Sequence, residues 1–107
     1  MDIGKLIGNT PMIKINYEYE GREGSIYSKL EFYNYSGSIK DRIALYIIEK
    51  ERENGNLKEG QSIVEVTSGN TGIAFSSIGA IYGHDVHIFM PDWCSLERRK
   101  IIDEINS

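Results

Sequence analysis

The sequence predicts an α/β fold in which helices flank a parallel sheet. Three stretches of the chain predict it, because each reads in order as a strand, a polar loop and a helix; they start near residues 25, 62 and 86. Successive strands joined through helices pair in parallel, since the helix returns the chain along the face of the sheet. Ligands of such sheets bind beyond the carboxyl ends of the strands, so a site is expected in the strand-to-helix loops.

The first part of the chain predicts two strands and one helix. A turn cluster at residues 8–11 precedes a short strand that begins at Met12. Residues 25–33 alternate between two sets of side chains, which predicts a strand with one drier face. Isoleucines then recur at helical spacing from residue 39, and the Asn-Gly-Asn stop at 54–56 ends this predicted helix.

Two further strand–helix units follow. The first has a strand at 62–66 and, after a polar loop, an apolar helix at 73–82 that ends at a glycine. The second has a strand at 86–90 and a helix at 96–105 with Ser95 as its N-cap. Both units support a parallel sheet covered by helices.

Composition and charge limit the classes of function. Lys and Arg number 12 against 16 Asp and Glu, a formal net charge of −4, and no long basic run is present, which argues against a nucleic-acid partner. The single cysteine, Cys94, cannot form an internal disulfide, which favours a reducing cytoplasm. The apolar runs are too short to span a bilayer. We therefore expect a cytoplasmic globular protein with neither a membrane nor a nucleic-acid partner.

Lys40 is a candidate nucleophile in the loop at residues 36–42. The loop carries a glycine and two serines before a helix start, and Lys40 falls in the first helical turn. The positive end of a helix disfavours an ammonium group, so an amine there is available as a nucleophile or Schiff-base former. The alternative is a surface lysine, with Asp41 as an acid that suits the helix dipole.

A second candidate loop spans residues 67–72. Thr67, Ser68, Gly69, Asn70 and Thr71 bring hydroxyls, an amide and a flexible backbone to a helix start, where they could bind a carboxylate or a phosphate. The glycine spacing matches neither a dinucleotide fingerprint nor a P-loop. The alternative is an ordinary helix N-cap.

The remaining polar candidates do not predict a metal site. His84 and His87 are three residues apart without partner ligands, which indicates ordinary polar positions. Cys94 has no neighbouring histidine or cysteine and is expected to be a small loop residue. We expect no metal.

Six segments, in this order and spacing, resemble the cysteine synthase, or O-acetylserine (thiol) lyase, family. They are residues 7–11 (IGNTP), 29–31 (KLE), 36–42 (SGSIKDR), 65–72 (EVTSGNTG), 90–91 (MP) and 95–99 (SLERR). Members of this family are pyridoxal 5′-phosphate (PLP) enzymes with the tryptophan-synthase-β fold. The resemblance covers essentially the whole chain and favours the functional reading of both loops.

The resemblance implies a role for each loop residue. Lys40 matches the catalytic lysine that binds the cofactor aldehyde covalently and serves as the base for the substrate α-proton. Asn70 matches the cofactor-binding asparagine that hydrogen-bonds the 3′-oxygen. The substrate α-carboxylate would be bound by four residues of the second loop: Thr67, Ser68, Gly69 and Thr71.

The implied activity is a β-replacement that makes cysteine from O-acetylserine and sulfide. Two sibling activities stay open, cysteine desulfhydration and a cystathionine β-synthase-like condensation, as does a non-catalytic, truncated paralogue that acts as a binding module. The implied partners are a small amino-acid substrate and either a second copy, as a homodimer, or a full-length subunit.

The resemblance also implies that residues 1–107 form a single incomplete unit, the N-terminal portion of a longer enzyme. The family's glycine-rich loop that cradles the cofactor phosphate, and its serine facing the pyridine nitrogen, have no counterpart in these residues. A phosphate without its donors loses much of its binding energy. We therefore expect the chain alone to bind PLP weakly, if at all, and not to turn over substrate.

Overall fold

The structure is a computed structural model that describes residues 2–67, 69–93 and 96–106, without the side chains of Arg98 and Asn106. The described elements, in chain order, are a 3-10 turn Ile3–Leu6, strands β1 (Met12–Tyr19) and β2 (Arg22–Lys29), a 3-10 turn Glu31–Tyr33, helix α1 (Lys40–Glu53), strand β3 (Ile63–Val66), helix α2 (Asn70–Ile81), strand β4 (Val86–Phe89) and helix α3 (Leu96–Asn106). Each of the described helices is too short or too polar to cross a bilayer.

The α/β class is confirmed by strands β3 and β4, which pair in parallel. The register runs from Ile63 opposite Val86 to Val66 opposite Phe89, and helix α2 connects the two strands while packing against them. The Thr67 amide donates to the Phe89 carbonyl (3.1 Å), which extends the ladder by one bond beyond β3. The carboxyl ends of both strands therefore lie beside the start of α2.

The predicted strand at 25–33 is wrong at both ends and in its pairing. Strand β2 pairs antiparallel with β1 from Met12 opposite Lys29 to Tyr19 opposite Arg22, so it belongs to a separate hairpin and not to the parallel sheet. Glu20 and Gly21 close the hairpin at φ of 50° and 76°. Two residues with positive φ make a tight two-residue turn that brings the next strand back at once, and this turn is the signal that the sequence prediction missed.

The start of helix α2 also differs from the prediction. The helix begins at Asn70, three residues before the predicted position, because the polar Asn70, Thr71 and Gly72 form its first turn and not a loop. Gly83 has a φ of 81° just after α2, as expected for a glycine that ends a helix. Helices α1 and α3 match their predicted spans to within one residue. Ser95, the predicted N-cap of α3, and Cys94 lie outside the described residues.

The buried core lies between α1, α2 and β4. It consists of Ala44, Ile48, Ala74, Phe75, Ile78 and Val86. The alanines let the two helices approach closely, and Ile48 and Ile78 fill the space between them at 1% and 0% exposure. Gly79 serves the same purpose toward the sheet, since a Cβ there would lie 2.5 Å from Cγ2 of Val86.

Helices α1 and α2 pack together through Ala44, Ile48, Ala74 and Ile78, and their C-terminal ends lie side by side. Near their C-terminal ends, the Tyr82 hydroxyl donates to Glu49 (2.8 Å), and the Arg52 guanidinium lies 5.2 Å from the centre of the Tyr82 ring. Lys40 precedes Arg52 by the same number of residues as Asn70 precedes Tyr82. Because both helices rise equally per residue, Lys40 and Asn70 lie at the same end of the helix pair.

Candidate active site

Lys40 is the first residue of α1 and is half-buried. Among the described residues, its Nζ has neither a hydrogen-bond nor an ion-pair partner. The backbone around it is fixed, because the Lys40 amide donates to Oγ of Ser38 (3.2 Å). The backbone of Lys40 is therefore held in place, while its amine is left without an intramolecular bond in the described part of the chain.

The loop before Lys40 is held from both sides. The Gly37 amide donates to the Asn34 carbonyl (3.0 Å), and Gly37 has a φ of 99°, which favours glycine there. On the helix side, Asp41 accepts hydrogen bonds from the amide (2.5 Å) and the hydroxyl of Ser36. These bonds fix the path by which the chain enters α1.

The second candidate loop joins β3 to α2. Oγ1 of Thr67 accepts from the Gly69 amide (3.3 Å), and the Thr67 methyl group packs over Gly72, where a Cβ would lie only 2.6 Å from it. Gly72 thus lets Thr67 lie against the first turn of α2. Asn70 opens the helix and is exposed, and Thr71 follows it half-buried. Ser68 lies outside the described residues.

The two loops lie at the same end of the helix pair, since α1 and α2 both begin there. The first amides of a helix lack intrahelical acceptors and carry the positive end of its dipole. Two such ends side by side favour an anionic ligand, and the lysine amine and the asparagine amide add a nucleophile and a hydrogen-bond donor. The arrangement can therefore hold a carboxylate near an amine.

A partly buried polar cluster braces the start of α1, and the sequence reading did not identify it. Nε and Nη2 of Arg42 donate to the Glu31 carboxylate at 2.8 and 2.9 Å, and Oγ1 of Thr10 donates to it at 2.6 Å. Asn34 links the cluster to the turn at residues 8–11, since it donates to Glu31 (2.8 Å) and accepts from the Gly8 amide (2.7 Å). All five residues fall in or beside the segments quoted above, but only the fold joins them.

Hydrogen bonds from Arg42 and, to a smaller extent, from Thr10 lower the pKa of Glu31 from its ordinary value of 4.5 to about 2. A carboxyl group whose pKa is lower in the folded state stabilises the fold above its ordinary pKa, and this contribution is lost as the pH falls through the folded value. We expect the urea midpoint to fall between pH 4.5 and about pH 2. Glu31→Gln should flatten this part of the curve, whereas Glu59→Gln, at an exposed position, should leave it unchanged.

His84 has a structural position. It is 4% exposed, with Nδ1 2.7 Å from the Gln61 carbonyl and Nε2 2.9 Å from Nη1 of Arg52. The carbonyl can only accept and the guanidinium can only donate, so Nδ1 carries the proton and Nε2 accepts. His87 is exposed in β4. Within the described residues, no three His, Cys, Asp or Glu side chains are grouped to hold a metal.

Two clefts lie elsewhere on the described surface. One of about 280 Å³ lies between the turn at residues 8–11 and the rings of Tyr33 and Tyr35. A larger one, of about 600 Å³, lies on the hairpin around Tyr17 and Gly24. Neither is lined by Lys40 or Asn70.

The parallel strands and the helices that follow them define an α/β protein, with Lys40 and Asn70 at the starts of two of its helices. The chain belongs to the pyridoxal-phosphate dependent enzyme family, whose model matches residues 3–107. This confirms the resemblance stated above, and the family's cofactor is PLP.

Three relatives show the range of named activities in similar proteins. The chain is 43% identical to a cysteine synthase of Staphylococcus aureus over 101 residues, and 44% identical to a cystathionine beta-synthase of Mus musculus over 103; each match covers 94% of this chain, but 33% and 18% of the relative. The crystal structure of a hydrogen sulfide-producing enzyme from Fusobacterium nucleatum superposes with a TM-score of 0.93 at 50% identity, covering 98% of this chain and 31% of that one. The chain thus spans at most about a third of their lengths.

Proposed function

We propose that this chain supplies the lysine-bearing part of a PLP-dependent β-replacement enzyme that makes cysteine from O-acetylserine and sulfide. The observation that carries the proposal is the placement of Lys40 and Asn70 at the same end of two parallel helices, in a chain of the PLP-dependent family. The candidate groups fit the aldehyde end of the cofactor and an amino-acid carboxylate.

Lys40 and Asn70 would hold the reactive end of PLP. The Nζ amine of Lys40 would hold the aldehyde end, and the Asn70 amide would donate a hydrogen bond to the 3′-oxygen beside it. When bound, the cofactor supplies an electron sink for the charge that develops on the substrate α-carbon. Nζ of Lys40 would also serve as the base for the substrate α-proton, with its backbone held at the start of α1.

The loop at residues 67–71 would orient the substrate. Thr67, Ser68, Gly69 and Thr71 offer hydroxyl and amide donors at the positive end of α2, where a carboxylate is favoured. With the substrate carboxylate held there and its α-carbon near Lys40, the amino acid would be restricted to one orientation. This restriction reduces the entropy that is lost on reaching the transition state.

A second candidate is sulfide release from cysteine. The 50% identity to the hydrogen sulfide-producing enzyme of Fusobacterium nucleatum exceeds the 43% identity to the cysteine synthase and supports this alternative. Both reactions use the same lysine and the same carboxylate site, so these 107 residues alone do not distinguish them.

Two hybrid enzymes test the proposal. In each, this chain replaces the matching third of a relative, the Staphylococcus aureus synthase in one and the Fusobacterium nucleatum enzyme in the other. We expect both hybrids to consume sulfide with O-acetylserine, and the second to have a higher ratio of sulfide consumption to release than its parent. The 107-residue chain alone should do neither.

The parents are the controls for the assay. Hybrids that release sulfide from cysteine without consuming it would favour the second candidate. Hybrids that fold and bind PLP but catalyse neither reaction, while the parents do, would contradict both.

A further inference from the structure

Asp41 is a fully buried carboxylate directly beside Lys40 in the chain. Its exposure is 0%, although aspartate is rarely buried this completely in a folded protein. Burial of such a group is costly unless hydrogen bonds compensate for the lost water. Its position therefore depends on the bonds that it makes.

Both oxygens of the Asp41 carboxylate bond to Ser36. Oδ2 accepts from the Ser36 amide (2.5 Å), and Oδ1 accepts from the Ser36 hydroxyl. The Asp41 amide returns a bond to the Ser38 carbonyl (3.3 Å). These bonds close a ring between Ser36 and Asp41, and Lys40 lies within it.

The neighbouring arginine does not take over this role. The guanidinium of Arg42 bonds the Glu31 carboxylate through two nitrogens. Asp41 therefore holds the loop while Arg42 holds the 3-10 turn at Glu31–Tyr33. Two successive residues therefore fix the first turn of α1: Asp41 joins it to the preceding loop, and Arg42 joins it to the 3-10 turn.

We propose that Asp41 is a positioning residue for the Lys40 amine, acting through its two bonds to Ser36. The inference rests on the proposed function, since it assigns Asp41 a part in presenting the same lysine. Without these bonds the Ser36–Ser38 turn can separate from α1, and the Lys40 backbone can then rotate. With these bonds, the Lys40 side chain extends from a backbone held in one position.

Competitive labelling of lysines in the 107-residue chain tests this. The chain is treated with limiting PLP and borohydride, or separately with an acetylating reagent, and the modification of Lys40 is measured by peptide mass spectrometry relative to the exposed Lys58. We expect Asp41→Ala to lower the Lys40-to-Lys58 ratio about tenfold with PLP, because small displacements of a reacting group have large effects on rate. Asp41→Asn should restore most of the ratio, since its amide can accept from the Ser36 amide and donate to the hydroxyl.

Three further measurements keep the result interpretable. Asp103→Ala, at an exposed position in α3, should leave the ratio unchanged. Hydrogen exchange at the Ser36 amide should accelerate in Asp41→Ala and not in Asp41→Asn. If Asp41→Ala does not fold, Ser36→Ala removes one of the two bonds from the other side and should lower the ratio by a smaller factor.

The outcomes separate the two proposals. If neither the chain nor the hybrid enzymes show a preference of PLP for Lys40 over Lys58, the proposed function fails, and the role of Asp41 fails with it. If only the hybrids show it, the Asp41 variants are compared in the hybrids. If the preference is present but unaffected by Asp41→Ala, or equally lost in Asp41→Asn, only the positioning role is overturned. A ratio that falls with PLP but not with the acetylating reagent supports positioning toward the cofactor.

Discussion

Replacement of Lys40 by alanine is expected to lower kcat/KM of either hybrid enzyme by at least about 10²- to 10⁴-fold, the range for loss of a positioned base. The substitution removes both the amine that binds the cofactor aldehyde and the base for the α-proton. Since Nζ makes no intramolecular bond in the described part of the chain, the fold should not be affected. Steady-state assays of sulfide consumption with O-acetylserine measure the effect.

Lys50→Ala is the matched control. Lys50 lies on the same helix, with Nζ 4.0 Å from Glu53 and 5.9 Å from the centre of the Tyr46 ring, and is half-exposed. Its loss should change kcat/KM by less than about twofold, because surface contacts of this kind contribute little. Equal losses in the two variants would contradict a chemical role for Lys40.

Replacement of Ile78 by alanine is expected to destabilise the fold by about 2–5 kcal/mol. Ile78 is 0% exposed and belongs to the core cluster that joins α1, α2 and β4. The smaller side chain leaves a cavity between the two helices whose parallel packing sets the positions of Lys40 and Asn70. The urea midpoint, with an unchanged slope, gives the loss.

Ile81→Ala, on the same helix, controls for changes in helix propensity. Ile81 is 42% exposed. Both substitutions gain the same propensity from alanine, so the difference between them reports burial. We expect Ile81→Ala to cost about 1 kcal/mol or less. Comparable losses at the two positions would mean that Ile78 is not at the centre of the core.

Local patterns predicted the strand–helix units at β3–α2 and β4–α3, because each unit is short and only a short loop separates its strand from its helix. The hairpin was not predicted. Strand β2 is mostly exposed, so its alternation did not arise from burial; Ile26, for example, is 54% exposed. The pairing partner of a strand depends on contacts remote in sequence, which periodicity does not encode.

Both candidate loops were identified from their composition, but not their supporting contacts. The Glu31–Arg42 ion pair and the Asp41–Ser36 bonds join residues that the sequence reading had treated as separate or as ordinary helix-start residues. Asp41 was considered only for its favourable charge near a helix dipole. Its complete burial follows from how the chain enters α1, which the sequence pattern alone does not define.

The role of Lys40 as the cofactor lysine is tested most directly by finding where PLP becomes attached to this chain. The 107-residue protein is treated with limiting PLP, reduced with borohydride and mapped by peptide mass spectrometry, with the urea-unfolded chain as reference. We expect Lys40 to carry the largest share of fixed cofactor in the folded chain and unfolding to remove this preference, even where overall binding is weak. A distribution that follows exposure alone, with Lys14 and Lys58 modified as much as Lys40 in the folded chain, would show that Lys40 is not the cofactor lysine.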